Sequence, residues 1–174
     1  AVDAQLINSM GEMSFSQTVS TLNATHSQNL EITLNRKAKA LSITGVDIKL
    51  SPKELAFYQW LSGQKRLVID RSFDQDKQHA IAFLNIFKNI GSDPRIYQKS
   101  FGIEPEDFRD GEHKQLKAME NTFVQQNRSA INKKLKKALP SELVSKIEIK
   151  SETVENISYY HVEANNQNIE ITIN

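Results

Sequence analysis

Ser51-Pro52-Lys53-Glu54 is the place where this sequence dictates local structure most directly. Ser51 can cap the exposed amides of a helix, Pro52 fits the first helical position, and Glu54 can reach back to complete a capping box. The helix that starts here carries Leu55, Ala56, Phe57, Trp60 and Leu61 and stops near Gly63. It is apolar on most sides, which predicts a central core helix. Every other element has to be arranged around it.

The order of those elements is the next constraint. Upstream, Leu30, Ile32 and Leu34 alternate with polar residues and predict a half-buried strand. Asn35 to Lys39 reads as a turn. Leu41 to Leu50 reads as one or two further strands, with Thr44-Gly45 as a turn or bulge. Residues 1–28 read as a linker with a short helix from Phe15 to Asn23, leaving 29–174 as the domain proper. Downstream, Lys65 to Phe73 fits a strand or a helix extension. Asp76 to Ile90 predicts a helix ended by Gly91, with Ile81, Leu84 and Phe87 at helical spacing. Ser92 to Gly111 reads as an insertion (92–111) anchored by Ile96, Phe101 and Phe108. Glu112 to Gln126 predicts a helix striped by Leu116, Met119 and Phe123, with a turn near Asn127. A basic amphipathic helix follows and is stopped by Pro140. Alternating sequence from Ile147 and Ile149, then Ser158 to Glu163 and Ile169 to Ile173, predicts closing strands.

That order predicts an α+β fold: a winged helix-turn-helix-like domain with an N-terminal β-hairpin, a helical core with an insertion, and a C-terminal β wing. Its expected core includes Leu55, Phe57, Trp60, Leu61, Ile81, Leu84, Phe87, Ile131 and Leu135.

Composition narrows the function classes. Of 174 residues, 39% are hydrophobic and 25% charged, as in a globular protein. No apolar run approaches the length that crosses a bilayer, and Ala1 to Met13 lacks the basic-then-apolar order of a signal peptide. The absence of Met at the start suggests a piece of a longer protein. There is no cysteine, which excludes disulfides, thiolate nucleophiles and cysteine metal sites and agrees with a cytoplasmic protein. Net charge is only +1, but it is unevenly spread. Residues 127–139 hold Arg128, Lys133, Lys134, Lys136 and Lys137 with no acid, whereas 104–112 hold five acids and Arg109.

The basic helix is therefore the main candidate site. Ile131, Leu135, Ala138 and Leu139 form its apolar stripe. At about 100° per residue, Ser129, Lys133, Lys136 and Lys137 fall on the opposite side. One side can dock on the core while the other meets phosphates, or is simply solvated. Arg128 and Asn132 flank the start; Arg can read guanine and Asn adenine. The expected nucleic-acid-binding set is Arg128, Ser129, Asn132, Lys133, Lys136 and Lys137, with DNA or RNA as partner. The closing hairpin offers Lys146, Lys150, Tyr159, Tyr160 and His161, which can touch a strand or fill a sheet face. The insertion interleaves Arg95, Tyr97, Lys99 and Phe101, a pattern for single strands or for anchoring a loop. His26, His79, His113 and His161 match no metal spacing. Glu104, Glu106, Asp107 and Asp110 lack the glycine and terminal Glu of a calcium loop. No phosphate loop or nucleophile elbow occurs. No catalytic residue, metal ligand or cofactor is expected in this segment, and no membrane partner.

Two stretches carry a family resemblance. Met13-Ser14-Phe15-Ser16-Gln17-Thr18-Val19, followed later by Leu50-Ser51-Pro52-Lys53-Glu54-Leu55-Ala56-Phe57-Tyr58-Gln59-Trp60-Leu61, resembles the carboxy-terminal half of CRISPR-associated proteins with a ring-nuclease-like CARF domain. Ser129-Ala130-Ile131-Asn132-Lys133-Lys134-Leu135 resembles that family's Ser-x-Ile-Asn-x-x-Leu stretch, in which Arg often stands at the place of Ala130. Ile147-Glu148-Ile149-Lys150-Ser151 and Tyr159-Tyr160 fit as well. The resemblance runs in order through nearly the whole chain. It implies an accessory domain of a type III CRISPR protein whose separate, upstream CARF domain binds and cleaves cyclic tetra-adenylate. On that view cyclic tetra-adenylate is a partner only of the upstream domain, and this segment binds nucleic acid or mediates a homodimer. The opening of the capped helix is also similar to winged-helix output domains of response regulators, which begin Leu-Thr-Pro-x-Glu. That similarity implies a DNA-binding domain of a transcriptional regulator. A purely structural dimerisation domain is the third expectation.

Overall fold

The computed structural model describes residues 30–174, and the expected helix from Phe15 to Asn23 lies outside them. Residues Ile32–Asn174 constitute one compact unit. It opens with three antiparallel strands, β1 (Ile32–Asn35), β2 (Ala40–Ile43) and β3 (Val46–Lys49). The β2–β3 connection is the two-residue turn Thr44-Gly45, both at positive φ (46° and 87°). That backbone matches the twist of the strands it joins, and it suits Gly45 far better than Thr44. Ile32, Leu34, Leu41 and Ile43 point inward and are fully buried, as the alternation predicts.

Helix α1 (Pro52–Ser62) begins as its sequence dictates. The Ser51 hydroxyl accepts from the Glu54 amide at 3.1 Å, and the Glu54 carboxylate accepts from the Ser51 amide at 2.9 Å. Gly63 caps its end. Leu55, Ala56, Phe57, Tyr58 and Leu61 have no exposed surface, so α1 is the core helix that its all-round apolar character predicts. Tyr58 donates its hydroxyl to the Ile147 carbonyl at 2.7 Å, which satisfies a phenol that burial pushes well above its ordinary pKa.

A short strand β4 (Leu67–Ile69) and a 3₁₀ turn (Phe73–Gln75) lead to α2 (Gln78–Phe87). The segment 92–111 is folded. A π turn (Ile96–Ser100) and a short helix α3 (Pro105–Arg109) bury Tyr97, Phe101, Ile103 and Phe108. Phe101 reaches into an aromatic cluster, 5.7 Å from Phe83 and 5.2 Å from Phe123, centroid to centroid. Ile96, expected as an anchor, is only half-buried; Tyr97 takes that place instead. Likewise Ile81 is half-buried and Phe83 takes the core position.

The long helix α4 (Asn121–Ala138) corrects the reading of two helices separated near Asn127. Residues 112–120 are not helical, and Asn127 lies mid-helix with its amide donating to the Phe123 carbonyl at 2.8 Å. Leu116 and Met119 are buried, but on irregular chain held by a bond from the Lys117 amide to the Phe101 carbonyl (2.8 Å). Pro140 ends α4 as expected, but a further helix α5 (Ser141–Ile147) follows, so the strand expected from Ile147 starts later. Strands β5 (Ile149–Val154) and β6 (Ile157–Val162) form the closing hairpin. After α6 (Glu163–Asn166), β7 (Ile171–Ile173) lies parallel to β1.

Two sheets result, ordered β3-β2-β1-β7 and β4-β6-β5. The unit is therefore a mixed α+β domain: three N-terminal antiparallel strands with β7 added parallel to β1, a helical core and a C-terminal hairpin. Among the described residues no helix is long and apolar enough to cross a membrane.

Candidate nucleic-acid interface

Helix α4 is the element that sorts charge from packing. Ile131 and Leu135 are fully buried, and Leu139, just past its end, is 7% exposed. Ala138, placed on the apolar stripe by spacing, is exposed. On the other side Ser129, Lys133, Lys136 and Lys137 are all exposed, as the helical arithmetic predicts. Toward the N-terminus the same side continues through exposed Thr122, Gln125 and Gln126. Gln125, Gln126, Ser129, Ala130 and Lys133 line a shallow depression on it. The exposed face is thus basic at one end and uncharged but hydrogen-bonding at the other.

Lys134 is set apart from the other lysines. Its ammonium is 2.6 Å from the Glu54 carboxylate, whose side chain is only 10% exposed. Burial alone would raise the Glu54 pKa. The Lys134 hydrogen bond and charge, with the Ser51 amide, outweigh it and hold this carboxyl below its usual value. The pair ties α4 to the capping box of α1 and so fixes the angle at which the basic face is presented.

Two of the expected base readers are turned inward. Asn132 is 7% exposed; its side-chain nitrogen donates to the Ile149 carbonyl at 2.8 Å and its oxygen accepts from the Ile149 amide at 2.9 Å. Arg128 is half-buried and donates through Nε to the same carbonyl at 3.0 Å. The two side chains close the outer edge of β5 at Ile149 and lock the hairpin to α4. Buried and bonded at both its nitrogen and its oxygen, Asn132 does not present the donor–acceptor pair that adenine requires. Its position held the clue: Asn132, Leu135 and Leu139 stand at i, i+3 and i+7, on the packing side.

Two of the hairpin's polar residues, His161 and Lys150, are engaged by Glu163 of α6. His161 lies 2.7 Å from Glu163, Lys150 lies 4.0 Å from the same carboxylate, and Gln167 donates to it at 2.8 Å. Burial would raise the Glu163 pKa, but these partners lower it. Tyr160 points into the core, while Tyr159 faces outward beneath the Arg66 guanidinium, 4.5 Å from the ring centroid. In the segment 92–111 Arg95 pairs with Asp93 at 2.9 Å, and Tyr97 and Phe101 are buried, so its aromatic residues anchor rather than stack on a ligand. His79 packs against Phe73, 5.0 Å between centroids. Among the described residues no group of three or more His, Asp or Glu side chains is placed to hold a metal ion.

Comparison of the chain with protein-family models, with curated proteins and with solved structures gives no match.

Proposed function

We propose that this domain is a winged-helix-like module that binds the phosphate backbone of nucleic acid through the exposed face of α4, as an accessory part of a cyclic-oligoadenylate-responsive, ring-nuclease-like CRISPR protein. One observation carries the binding reading. Lys133, Lys136 and Lys137 project from one exposed face of a helix whose opposite side is fixed by Ile131, Asn132 and Leu135. A rigid helix with three unburied cations on one side matches what phosphate contacts need: charge, and a fixed register along the backbone. Gln125, Gln126 and Ser129 add neutral donors beside them. The pairing of β4 with the β5–β6 hairpin behind a capped α1 supports the winged-helix description. The CRISPR context rests on the sequence resemblance of the Ser51–Leu61 and Ser129–Leu135 stretches.

With Arg128 and Asn132 committed to Ile149, base readout from this helix loses its two best candidates. The module therefore binds without strong sequence preference. The discriminating experiment is a fluorescence titration with random-sequence duplex DNA, duplex RNA and single strands across a salt series. Salt-sensitive, sequence-tolerant binding is the expected result. No binding to any of them at low ionic strength refutes the proposal. Tight selection of one DNA sequence would instead favour an output domain of a transcriptional regulator.

A further inference from the structure

The sheet β3-β2-β1-β7 ends on β3, and the hairpin settles which groups lie along that outer edge. In a two-residue hairpin the pair flanking the turn, here Ile43 and Val46, is hydrogen-bonded. The ladder then alternates, so Val46 and Ile48 bond inward. The Leu50 amide, bonded to the Lys39 carbonyl at 3.1 Å, keeps the same alternation. Asp47 and Lys49 therefore turn their N–H and C=O groups outward. Among the described residues nothing bonds to those groups. Both side chains are exposed, with the Lys49 ammonium donating to the Ala38 carbonyl of its own chain at 2.9 Å, and neighbouring Val46 is 42% exposed. On the outer edge of β5, among the described residues, only Ile149 is closed, by Asn132 and Arg128.

An open edge is a template for another strand, and charged residues decide which strand fits. We infer that β3 is a homotypic docking edge, on which β3 of a second copy of this chain pairs antiparallel about a two-fold axis through Ile48. In that register Asp47 stands opposite Lys49 of the second copy, and Lys49 opposite its Asp47. The parity agrees: these are the residues whose main-chain groups face outward, so each opposed pair can exchange hydrogen bonds. Two-fold registers centred on Asp47 or on Lys49 set like charges against each other, and the charges reject them. Val46 comes to lie across from Leu50 of the second copy. The two four-stranded sheets become one continuous sheet. The interface is isologous, as a closed dimer requires. This inference does not depend on nucleic-acid binding.

Sedimentation equilibrium of the full chain over a concentration series, with Asp47→Lys, Lys49→Asp and the double reversal, tests it. The wild-type chain forms a concentration-dependent dimer. Each single reversal sets like charges opposite one another and raises the dimer dissociation constant by about tenfold. The double reversal restores the dimer. An equimolar mixture of the two single variants also restores it, as a heterodimer, because every opposed pair is again of opposite sign. That recovery separates charge repulsion across the interface from misfolding of a variant. A wild-type chain that stays monomeric throughout overturns the inference. So do single reversals that dimerise as well as wild type, or single variants that fail to recover on mixing.

Discussion

Asn132 grips Ile149 at both of its main-chain groups, donating to the carbonyl at 2.8 Å and accepting from the amide at 2.9 Å. A side-chain amide here substitutes for a neighbouring strand. It closes the edge of β5 at Ile149 from a helix and ties the hairpin to α4. The residue that most resembles a base reader by type is thereby a structural clamp.

Replacing it should expose that role. Asn132→Leu keeps the volume but leaves the Ile149 amide unsatisfied and its carbonyl with only Arg128. A loss of about 2–3 kcal/mol is expected for the buried groups left without Asn132. Asn132→Asp keeps the acceptor but turns a carboxylate oxygen toward a carbonyl, so it should be at least as destabilised at neutral pH and partly recover in acid. Urea denaturation of both variants measures this. Wild-type midpoints would show that the clamp contributes nothing.

The Glu54–Lys134 pair predicts acid sensitivity. The folded-state pKa of Glu54 lies below its unfolded value. The group therefore contributes stability that is fully present above the ordinary Glu range and is lost as pH falls through the depressed folded value. Glu54→Gln should lower stability near neutral pH and flatten its dependence on pH in the acid range. Lys134→Met should weaken the same dependence. Denaturation midpoints taken from neutral pH into acid check the sign, and a Glu54→Gln variant with the wild-type acid slope would contradict it.

Phe101 is the bolt of the segment 92–111. It is fully buried between Phe83 and Phe123. Phe101→Ala should cost about 3–5 kcal/mol. It should also speed amide hydrogen exchange across residues 92–120 before the rest of the domain, since the Lys117 amide bonds to the Phe101 carbonyl. Uniform loss of protection would mean that the segment opens only with the whole domain.

What was legible in the sequence, and what was not, follows from where each signal originates. The α1 start, the β1–β3 alternation and the stop at Pro140 are local effects of capping, pleat and ring geometry. They need no tertiary partner to be read. Leu116 and Met119 have helical spacing, yet they sit on irregular chain. Two apolar residues three apart are buried equally well there once Phe101 supplies a backbone partner, and that partner is remote in sequence. Helix α5 was hidden because Ile147 and Ile149 alternate like a strand, while Ile147 belongs to the end of a helix. In the candidate site the solvent face of α4 follows directly from 3.6-residue periodicity. The inward turn of Asn132 was legible in spacing but masked by its polar type. The Lys134 pairing depends on Glu54, eighty positions away.

Gly91 marks a close approach of another kind. A β-carbon there would stand 2.7 Å from the Pro52 β-carbon and 3.0 Å from the Phe87 ring. Neither neighbour is a flexible chain end, so Gly91→Ala should push the start of α1 from the end of α2. A cost of about 1–3 kcal/mol is expected from this overpacking. Thermal denaturation of the variant tests it, with an unchanged midpoint as the contrary result.

The lysines of α4 should separate into two classes. Lys133, Lys136 and Lys137 are exposed, whereas Lys134 holds Glu54. Changing the first three together to Ala should leave stability within about 0.5 kcal/mol of wild type, as for surface positions away from packing. It should weaken nucleic-acid binding across sequences and reduce the salt slope by about 0.9 log units for each duplex phosphate no longer neutralised. Lys134→Ala should do the reverse, lowering stability while leaving most of the salt slope intact. Parallel denaturation and salt-titration series on the two variants decide it. If the triple variant binds with the wild-type slope, phosphates do not meet this face of α4. If Lys134→Ala loses the slope while keeping its stability, the backbone is met from the other flank of the helix.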